Sequence, residues 1–318
     1  MLDVARFPSR SQFDDHIELE QLRTPSGEIF NYIDIGSGPP LVFVHGLPGQ
    51  ATDFLPLLEL LSAQYRCIAY DRIGYGGSRA PSPKHVRSVE DNVPELISFL
   101  DALSVDQAVL AGWSFGMHIA MDAAVAHPNR VTALISLGGS GPSFTWPNGT
   151  LDKLLFKSVI GRPLIKLVRA FGEGAFRASL DDAFGGKMPD ELVTSFHKSL
   201  YAPGMIETWL GEGRNWKPST SKAKHIEQPL LILHGDEDTR IPVSVALELH
   251  ATVRTARLEI LEGVGHWPFA SHPELVAQKC QDYLKSIATS STCSRQSFAR
   301  VDTRTPDGTL HIDDRFDL

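Results

Sequence analysis

The sequence predicts an α/β fold in which a mostly parallel sheet is covered by helices on both faces. Short, continuous apolar runs recur along the chain, beginning at residues 41–44, as expected for parallel strands that are buried on both sides. Segments with apolar residues at three- and four-residue spacing separate these runs, which is the pattern of amphipathic helices. Repeated alternation of the two patterns is typical of a parallel sheet flanked by helices.

The elements are predicted as follows in chain order. An antiparallel hairpin is expected over residues 16–35, with a turn at Thr24 to Gly27. Buried strands are expected at residues 41–44, 67–70, 108–111, 133–135 and 230–233, and a weaker one at 258–261. Between them, helical spacing is found over residues 54–61, 88–103 and 115–126.

One long segment interrupts the alternation of strands and helices. Residues 142–225 carry many apolar residues at helical spacing and no convincing strand, which predicts a helical cap inserted into the core. The core is then expected to comprise residues 1–141 and 226–287, and residues 288–318 form a polar tail, either disordered or a short hairpin. Most cap aromatics are expected in the core of the cap rather than in a pocket: Trp146, Phe156, Phe171, Phe184, Trp209 and Trp216.

Composition argues against a nucleic-acid-binding protein, a disulfide or zinc framework and a membrane-spanning protein. The 318-residue chain carries a net charge of −8, which argues against a nucleic-acid partner. Its cysteines, Cys67, Cys280 and Cys293, lack the spacing of a disulfide framework or a zinc site and are expected to be reduced thiols. The polar segment at residues 1–16 is not expected to act as a signal peptide, and no apolar run approaches about 20 residues, so a cytoplasmic protein without a membrane span is expected.

The strongest chemical motif is Gly112-Trp113-Ser114-Phe115-Gly116, which lies between a predicted buried strand and a predicted helix. A G-x-S-x-G sequence in that position predicts a sharp turn that exposes a nucleophilic serine. The flanking glycines allow strand and helix to approach closely, and the helix N-terminus supplies backbone donors. By itself the motif also fits an ordinary strand-to-helix turn, so the prediction of Ser114 as nucleophile depends on finding its partners.

A serine nucleophile needs a base, and the base needs a carboxylate. Of the twelve histidines, His266 follows the last predicted strand, in a loop where parallel sheets concentrate catalytic residues. Three acids follow the strand at 230–233, and Asp238 is preferred because Asp236 fits a loop cap and Glu237 is expected to face solvent.

The oxyanion that forms during acyl transfer needs backbone donors. Gly46 permits a turn that directs the Leu47 N–H at the site, and the Phe115 N–H is expected to be the second donor. The loop Asp71 to Ser78 does not fit G-x-G-x-x-G, and no metal-binding or phosphate-binding motif is present, so neither a cofactor nor a metal is expected.

These motifs, in this order, resemble the α/β-hydrolase superfamily, and the resemblance covers roughly residues 41–287. It implies the α/β-hydrolase fold with an eight-stranded, mostly parallel sheet and a cap inserted after the strand at 131–137. The family's G-x-x-D pattern implies Asp238 as the acid. The elbow is similar to those of carboxylesterases and cofactor-free haloperoxidases, whereas haloalkane dehalogenases and epoxide hydrolases carry aspartate at the position of Ser114.

The resulting expectation is a carboxylesterase-like serine hydrolase that acts on a small, partly apolar molecule. Two alternatives use the same triad: hydrolysis of a C–C bond next to a ketone, and haloperoxidase-like chemistry. A non-catalytic small-molecule receptor is a further alternative, from a different class of protein. The sequence makes no prediction of oligomeric state.

Overall fold

A computed structural model describes residues 19–82, 88–145, 161–218 and 220–298 of the chain. These described residues form one sheet of eight strands in the order β1-β2-β4-β3-β5-β6-β7-β8. The strands are β1 (Glu20–Arg23), β2 (Ile29–Ile35), β3 (Pro40–Val44), β4 (Arg66–Tyr70), β5 (Ala108–Trp113), β6 (Val131–Leu137), β7 (Leu230–Gly235) and β8 (Ala256–Leu261).

The sheet is mostly parallel. Strand β2 pairs antiparallel with both β1 and β4, and all the other pairs are parallel. Val44 at the end of β3 lies opposite Tyr70 of β4 and Gly112 of β5. The loops that follow these three strands therefore leave the sheet at the same edge. The predicted fold class, including the hairpin and the eight strands, is confirmed.

Helices cover the sheet and also fill the connection between β6 and β7. They are α1 (Leu55–Leu61), α2 (Asn92–Ala102), α3 (Phe115–Ala126), α4 (Gly161–Ala170), α5 (Gly174–Phe184), α6 (Asp190–Ser199), α7 (Met205–Arg214), α8 (Thr220–Ala223), α9 (Val243–Thr252), α10 (Pro268–Ser271) and α11 (Pro273–Phe298). Single 3₁₀ turns precede α1 and α2, at Ala51–Phe54 and Val89–Asp91.

Burial follows position in the sheet. Every residue of β7 is buried, whereas edge strand β1 is mostly exposed. The continuous apolar runs arise because helices cover both faces of the central strands, so neither face is exposed to solvent. Within the described ranges, no helix combines the length and apolar character needed to cross a membrane.

The described part of the connection between β6 and β7 contains helices α4 to α8 and no strand. A cap over residues 142–225 that is inserted into the core stays a prediction. At the C-terminus, α11 continues through Phe298, beyond the point at which we expected a polar tail to begin. Several expectations lie outside the described residues, namely the start of the hairpin at 16–18, Trp146, Phe156 and the tail over 299–318.

Candidate active site

Ser114 occupies the turn between β5 and α3, with φ 52° and ψ −121°. A residue other than glycine rarely adopts a positive φ, so the backbone at Ser114 is strained and is held in place by its surroundings. An ideal Cβ on Gly112 would lie 2.4 Å from the Cα of Met117, and one on Gly116 would lie 1.8 Å from the carbonyl oxygen of Val44. Both glycines are therefore required for strand and helix to meet at this angle.

The backbone of Ser114 is fixed by three donors. Its carbonyl oxygen accepts hydrogen bonds from the Met117 N–H at 3.1 Å, the Ser140 N–H at 3.0 Å and the Ser140 hydroxyl at 3.1 Å. The side chain of Ser114 is half-buried, and its hydroxyl makes no hydrogen bond to another residue in the described part of the chain. The hydroxyl thus remains available to an incoming molecule.

The structure brings His266 and Asp238 together. His266 Nδ1 lies 2.7 Å from Asp238 Oδ2, and both side chains are buried. Asp238 Oδ1 accepts the N–H groups of Arg240 and Ile241, each at 2.8 Å. A carboxylate that accepts from Nδ1 places the imidazole proton there, which leaves Nε2 as the basic nitrogen.

Opposing effects act on the pKa of Asp238. Burial favours the neutral acid, but the charge and hydrogen bond of His266, the Ile241 N–H and nearby His234 outweigh it. The pKa of the carboxyl is consequently held below its usual value, and Asp238 is ionised at neutral pH.

His234, at the end of β7, is a buried neighbour of this pair. Its Nε2 lies 2.8 Å from the Ile241 carbonyl oxygen and 3.6 Å from Asp238 Oδ2. Because a carbonyl oxygen only accepts, the contact with Ile241 requires a proton on Nε2. Burial is the main cause of its lowered pKa. His234 is therefore a neutral donor that orders the loop carrying Asp238, and not a second base.

The other two acids of this loop have the positions expected from the sequence. Asp236 is exposed, and its Oδ1 accepts the Gly263 N–H at 2.7 Å, so it caps the turn after β8. Glu237 is exposed as well. Of the three carboxylates, Asp238 is the one that contacts His266.

Trp113 connects the elbow with the loop that carries His266. Its indole N–H donates to the His266 carbonyl oxygen at 2.8 Å, and the two rings are 5.6 Å apart. An ideal Cβ on Gly138, which follows β6, would lie 3.5 Å from Asp238 Oδ2. The residues after β5, β6, β7 and β8 thus meet at the same sheet edge, although Ser114 and His266 share no hydrogen bond among the described contacts.

The loop after β3 lies against the elbow. An ideal Cβ on Gly46 would be 2.8 Å from the Cβ of Ser114, so only glycine fits without displacement. The Leu47 N–H has no hydrogen-bond partner among the described residues. The Phe115 N–H belongs to the first turn of α3, where amides have no partner within the helix. Phe115 thus directly follows Ser114, and Leu47 directly follows Gly46, which lies against Ser114. Their roles as oxyanion donors stay predictions.

A buried polar cluster beneath this loop was missed by the sequence analysis. Arg72 Nη1 donates to Glu212 Oε1 at 2.7 Å and to Asn92 Oδ1 at 2.8 Å. The Tyr75 hydroxyl donates to Glu212 Oε2 at 2.8 Å. Arg72 is 1% exposed and Glu212 is fully buried. The pattern D-R-x-G-x-G-x-S at residues 71–78 could have drawn attention to Arg72, whereas no local pattern distinguishes Glu212.

The connection between β6 and β7 reaches the base directly. The His266 N–H donates to the Ala183 carbonyl oxygen of α5 at 2.7 Å. An ideal Cβ on Gly265 would be 2.4 Å from the carbonyl carbon of Phe184, which shows how closely α5 approaches this loop. Trp216 packs against Phe115, with ring centroids 4.8 Å apart. Of the predicted cap aromatics, Phe171 is largely exposed and so lies outside any described core.

Comparison with known proteins finds that this chain is similar to hydrolases. A model of the α/β-hydrolase family matches residues 41–279. The chain is 30% identical over 261 residues to 2-hydroxy-6-oxo-2,4-heptadienoate hydrolase of Pseudomonas putida. That alignment covers 79% of this chain and 90% of the relative. The chain is also 30% identical over 266 residues to 2-hydroxymuconate semialdehyde hydrolase of a Pseudomonas species, which covers 80% of this chain and 89% of the relative.

A solved structure of an esterase from Exiguobacterium antarcticum is similar as well. It superposes with a TM-score of 0.71 at 26% identity and covers 84% of this chain and all of that protein.

Proposed function

Because the chain belongs to the α/β-hydrolase family, we propose that it is a serine hydrolase in which Ser114 is the nucleophile, His266 the base and Asp238 the acid. The contact of 2.7 Å between His266 Nδ1 and Asp238 Oδ2 carries this proposal. It supplies a base whose free nitrogen is Nε2, at the edge of the sheet where the strained serine turn is located.

The proposed chemistry proceeds through an acyl-enzyme. His266 removes the proton of the Ser114 hydroxyl as the oxygen attacks a carbonyl carbon. The N–H groups of Leu47 and Phe115 bind the resulting oxyanion, and each such donor contributes roughly 10²–10³ to the rate. Asp238 stabilises the imidazolium without taking its proton. The tetrahedral intermediate then expels its leaving group, which takes the proton from His266, and the acyl group stays on Ser114. Neutral His266 next activates water, which releases the acid and restores Ser114.

For the bond that is cleaved, we propose a C–C bond next to a ketone. Ester cleavage was the first expectation from the sequence, but the two bacterial relatives at 30% identity are hydrolases of a 2-hydroxy-6-oxo dienoate and a 2-hydroxymuconate semialdehyde. Matches that extend over about nine tenths of both relatives favour the alternative that uses the same triad.

Such a substrate provides an electron sink for a carbon leaving group. Transfer of the 2-hydroxyl proton to C5 yields a C2 ketone with a C3–C4 double bond. When Ser114 adds to the C6 carbonyl and the C5–C6 bond breaks, the electron pair passes through that double bond to the C2 oxygen, which takes a proton. The C6 fragment remains on Ser114 as an ester, and water releases it as the acid.

Ester hydrolysis is the second candidate, and the Gly112-to-Gly116 elbow favours it. That elbow is similar to those of carboxylesterases, and the Exiguobacterium esterase is 26% identical to this chain. An alcohol leaves a tetrahedral intermediate more readily than a carbon does, so a C–C hydrolase with this triad is also expected to cleave activated esters. The ratio of the two rates separates the candidates.

The helices between β6 and β7 are proposed to act as a cap over the site. The bond from the His266 N–H to Ala183 and the ion pair between Arg72 and Glu212 attach α5 and α7 to loops at the active-site edge. A cap in this position is expected to bind the part of the substrate that remains outside the reacting carbonyl.

The test compares two substrates on the purified chain. The kcat/KM is measured for 2-hydroxy-6-oxo-2,4-heptadienoate, through loss of its conjugated absorbance, and for p-nitrophenyl acetate. A larger value for the dienoate supports C–C hydrolysis, and a larger value for the ester supports the second candidate. Labelling by a fluorophosphonate, mapped to Ser114 by mass spectrometry, identifies the nucleophile.

Two alanine variants are compared with wild type: Ser114→Ala tests the nucleophile, and Ser143→Ala is its control. Ser143 is exposed and its hydroxyl contacts Glu248 on the surface, so its replacement is expected to leave both activities unchanged. Activity that survives Ser114→Ala contradicts the proposed mechanism. A folded wild-type chain that binds the dienoate but neither turns over nor labels favours the receptor alternative.

A further inference from the structure

We propose that Arg72 and Glu212 are positioning residues that orient the Leu47 N–H toward Ser114, so that the seating of helix α7 sets the geometry of the oxyanion hole. This inference rests on the proposed function, because it concerns a donor that the proposed mechanism uses. It assigns a role to the buried cluster beneath the loop after β3, which the proposed mechanism leaves unexplained.

The first step concerns the carbonyl oxygen of Gly46. It accepts a hydrogen bond from Arg72 Nη2 at 3.0 Å and another from His45 Nδ1, also at 3.0 Å. His45 Nε2 accepts the Arg72 backbone N–H at 2.9 Å, which places the ring proton on Nδ1. Burial, and then the nearby Arg72 charge, lower the pKa of His45, so this arrangement is kept at neutral pH.

The second step follows from the planarity of the peptide bond. The Gly46 carbonyl and the Leu47 N–H belong to one rigid unit and point in opposite directions. Two donors that hold the carbonyl therefore also fix the direction of the N–H. This unit lies against the nucleophile, because a Cβ on Gly46 would approach the Ser114 Cβ to 2.8 Å.

The third step concerns what holds Arg72. Glu212 of α7 accepts from Nη1 at 2.7 Å, and Asn92 of α2 accepts from the same nitrogen at 2.8 Å. The guanidinium carbon is 4.5 Å from the centroid of the Tyr75 ring and 4.9 Å from that of Phe115, which follows the nucleophile. Arg72 thus contacts the peptide unit that joins Gly46 to Leu47 and the residue that carries the second proposed donor, Phe115. Its charge is balanced by Glu212, a residue of the helical connection.

The energetics of burial favour a positioning role. Removing both charges from water costs free energy that their attraction repays only in part, so a buried ion pair is a poor source of stability compared with apolar packing. The planar guanidinium does something that apolar packing does not, since its separate N–H groups bind Glu212 and Gly46 at the same time.

The experiment removes the pair without leaving a lone buried charge. Two double variants are compared with wild type: Arg72→Met with Glu212→Met, and Arg72→Gln with Glu212→Gln. The control double variant, Asp34→Asn with Arg66→Gln, removes a bidentate pair that joins β2 to the start of β4, away from the active-site edge. The measurements are thermal unfolding, kcat and KM for p-nitrophenyl acetate, and affinity for a trifluoromethyl ketone, which forms a tetrahedral oxyanion on Ser114.

Both double variants at Arg72 and Glu212 are expected to fold. Their kcat should fall about 10- to 100-fold with KM within about twofold, because an oxyanion donor acts in the transition state. The affinity for the trifluoromethyl ketone should fall by the same factor as kcat/KM, and the control should retain wild-type kcat. A merely structural role would not produce this proportionality.

Folded double variants with wild-type kcat overturn the inference while leaving the proposed function intact. Failure of both to fold also counts against it, because the pair would then serve folding. If wild type itself neither labels nor turns over, the proposed function fails first, and the two failures are thereby distinguished.

Discussion

The indole N–H of Trp113 donates a hydrogen bond of 2.8 Å to the carbonyl oxygen of His266. One residue precedes the proposed nucleophile and the other is the proposed base, although 153 positions separate them in the chain. This contact ties the elbow after β5 to the loop after β8 through a backbone atom. The orientation of the base is therefore coupled to the elbow without involving either reacting group.

Replacing Trp113 with Phe should loosen this connection. The buried His266 carbonyl would lose its indole donor, which costs about 1–3 kcal/mol of unfolding free energy. The kcat should fall several-fold because the loop that carries the base gains freedom. Urea unfolding and ester turnover measure the two effects. Trp267→Phe is the comparison for stability, because the Trp267 indole makes no hydrogen bond within the described residues, and an equal loss in both variants would contradict this account.

Asp238→Asn should lower kcat by about 10³–10⁴-fold, because an amide does not hold the proton of His266 on Nδ1. Asp236→Asn is a matched control in the same loop, since its side chain is exposed and caps the Gly263 N–H. Its kcat should remain within about twofold of wild type. Steady-state kinetics on one substrate decide between the two acids, and a larger loss in the Asp236 variant would refute the assignment.

Gly46→Ala should impair catalysis more than folding. The added methyl would meet the Ser114 side chain at 2.8 Å, and displacing the reacting groups by about 1 Å costs on the order of 10²-fold in rate. Gly174→Ala, at the start of α5, is the control because an added Cβ there would meet no atom of the described residues within 4 Å, apart from its chain neighbours and the backbone of its own helix. Full activity in Gly46→Ala would mean that the loop after β3 yields more easily than the structure indicates.

Asp71 should make stability depend on pH. Burial raises the pKa of its carboxyl to about 6, against the opposing hydrogen bonds of the Ala51 and Gly77 N–H groups and Asn31. The folded state thus holds the proton more tightly than the unfolded state, whose value is near 3.8. The associated stability is fully present below about pH 4 and is lost as pH rises through about 6.

The measurement for Asp71 is urea unfolding of wild type and Asp71→Asn across this range. The wild-type free energy of unfolding should decline relative to the variant by about 2–4 kcal/mol between pH 4 and pH 7. Asparagine does not titrate, so the difference between the two curves isolates Asp71 from the other groups. Parallel curves would show that the carboxyl is not perturbed in the folded state.

Local pattern in the sequence indicated the fold class and the candidate residues, and the resemblance to the α/β-hydrolase superfamily implied the eight-stranded sheet. Apolar runs and helical spacing have fixed periods, so the predicted strands and helices are visible within short windows. Ser114 lies in a motif whose glycines are required by the close approach of β5 and α3. Asp236 directly follows β7, and Asp238 lies two residues further along the loop. The contact of 2.7 Å between Asp238 and His266 agrees with the preference for Asp238 as the acid. The catalytic roles of these residues remain predictions.

Only the tertiary structure decided which distant groups meet. Glu212 lies 140 positions from Arg72, inside an unremarkable helical pattern, and its burial against that residue leaves no trace in local periodicity. The same holds for the bond between the His266 N–H and the Ala183 carbonyl, because every residue has these backbone atoms. Long-range hydrogen bonds depend on how the helices between β6 and β7 pack, and packing has no local sequence period. The sequence therefore determined the secondary-structure elements and the candidate catalytic residues. The packing of the chain decided which long-range contacts hold those residues in position.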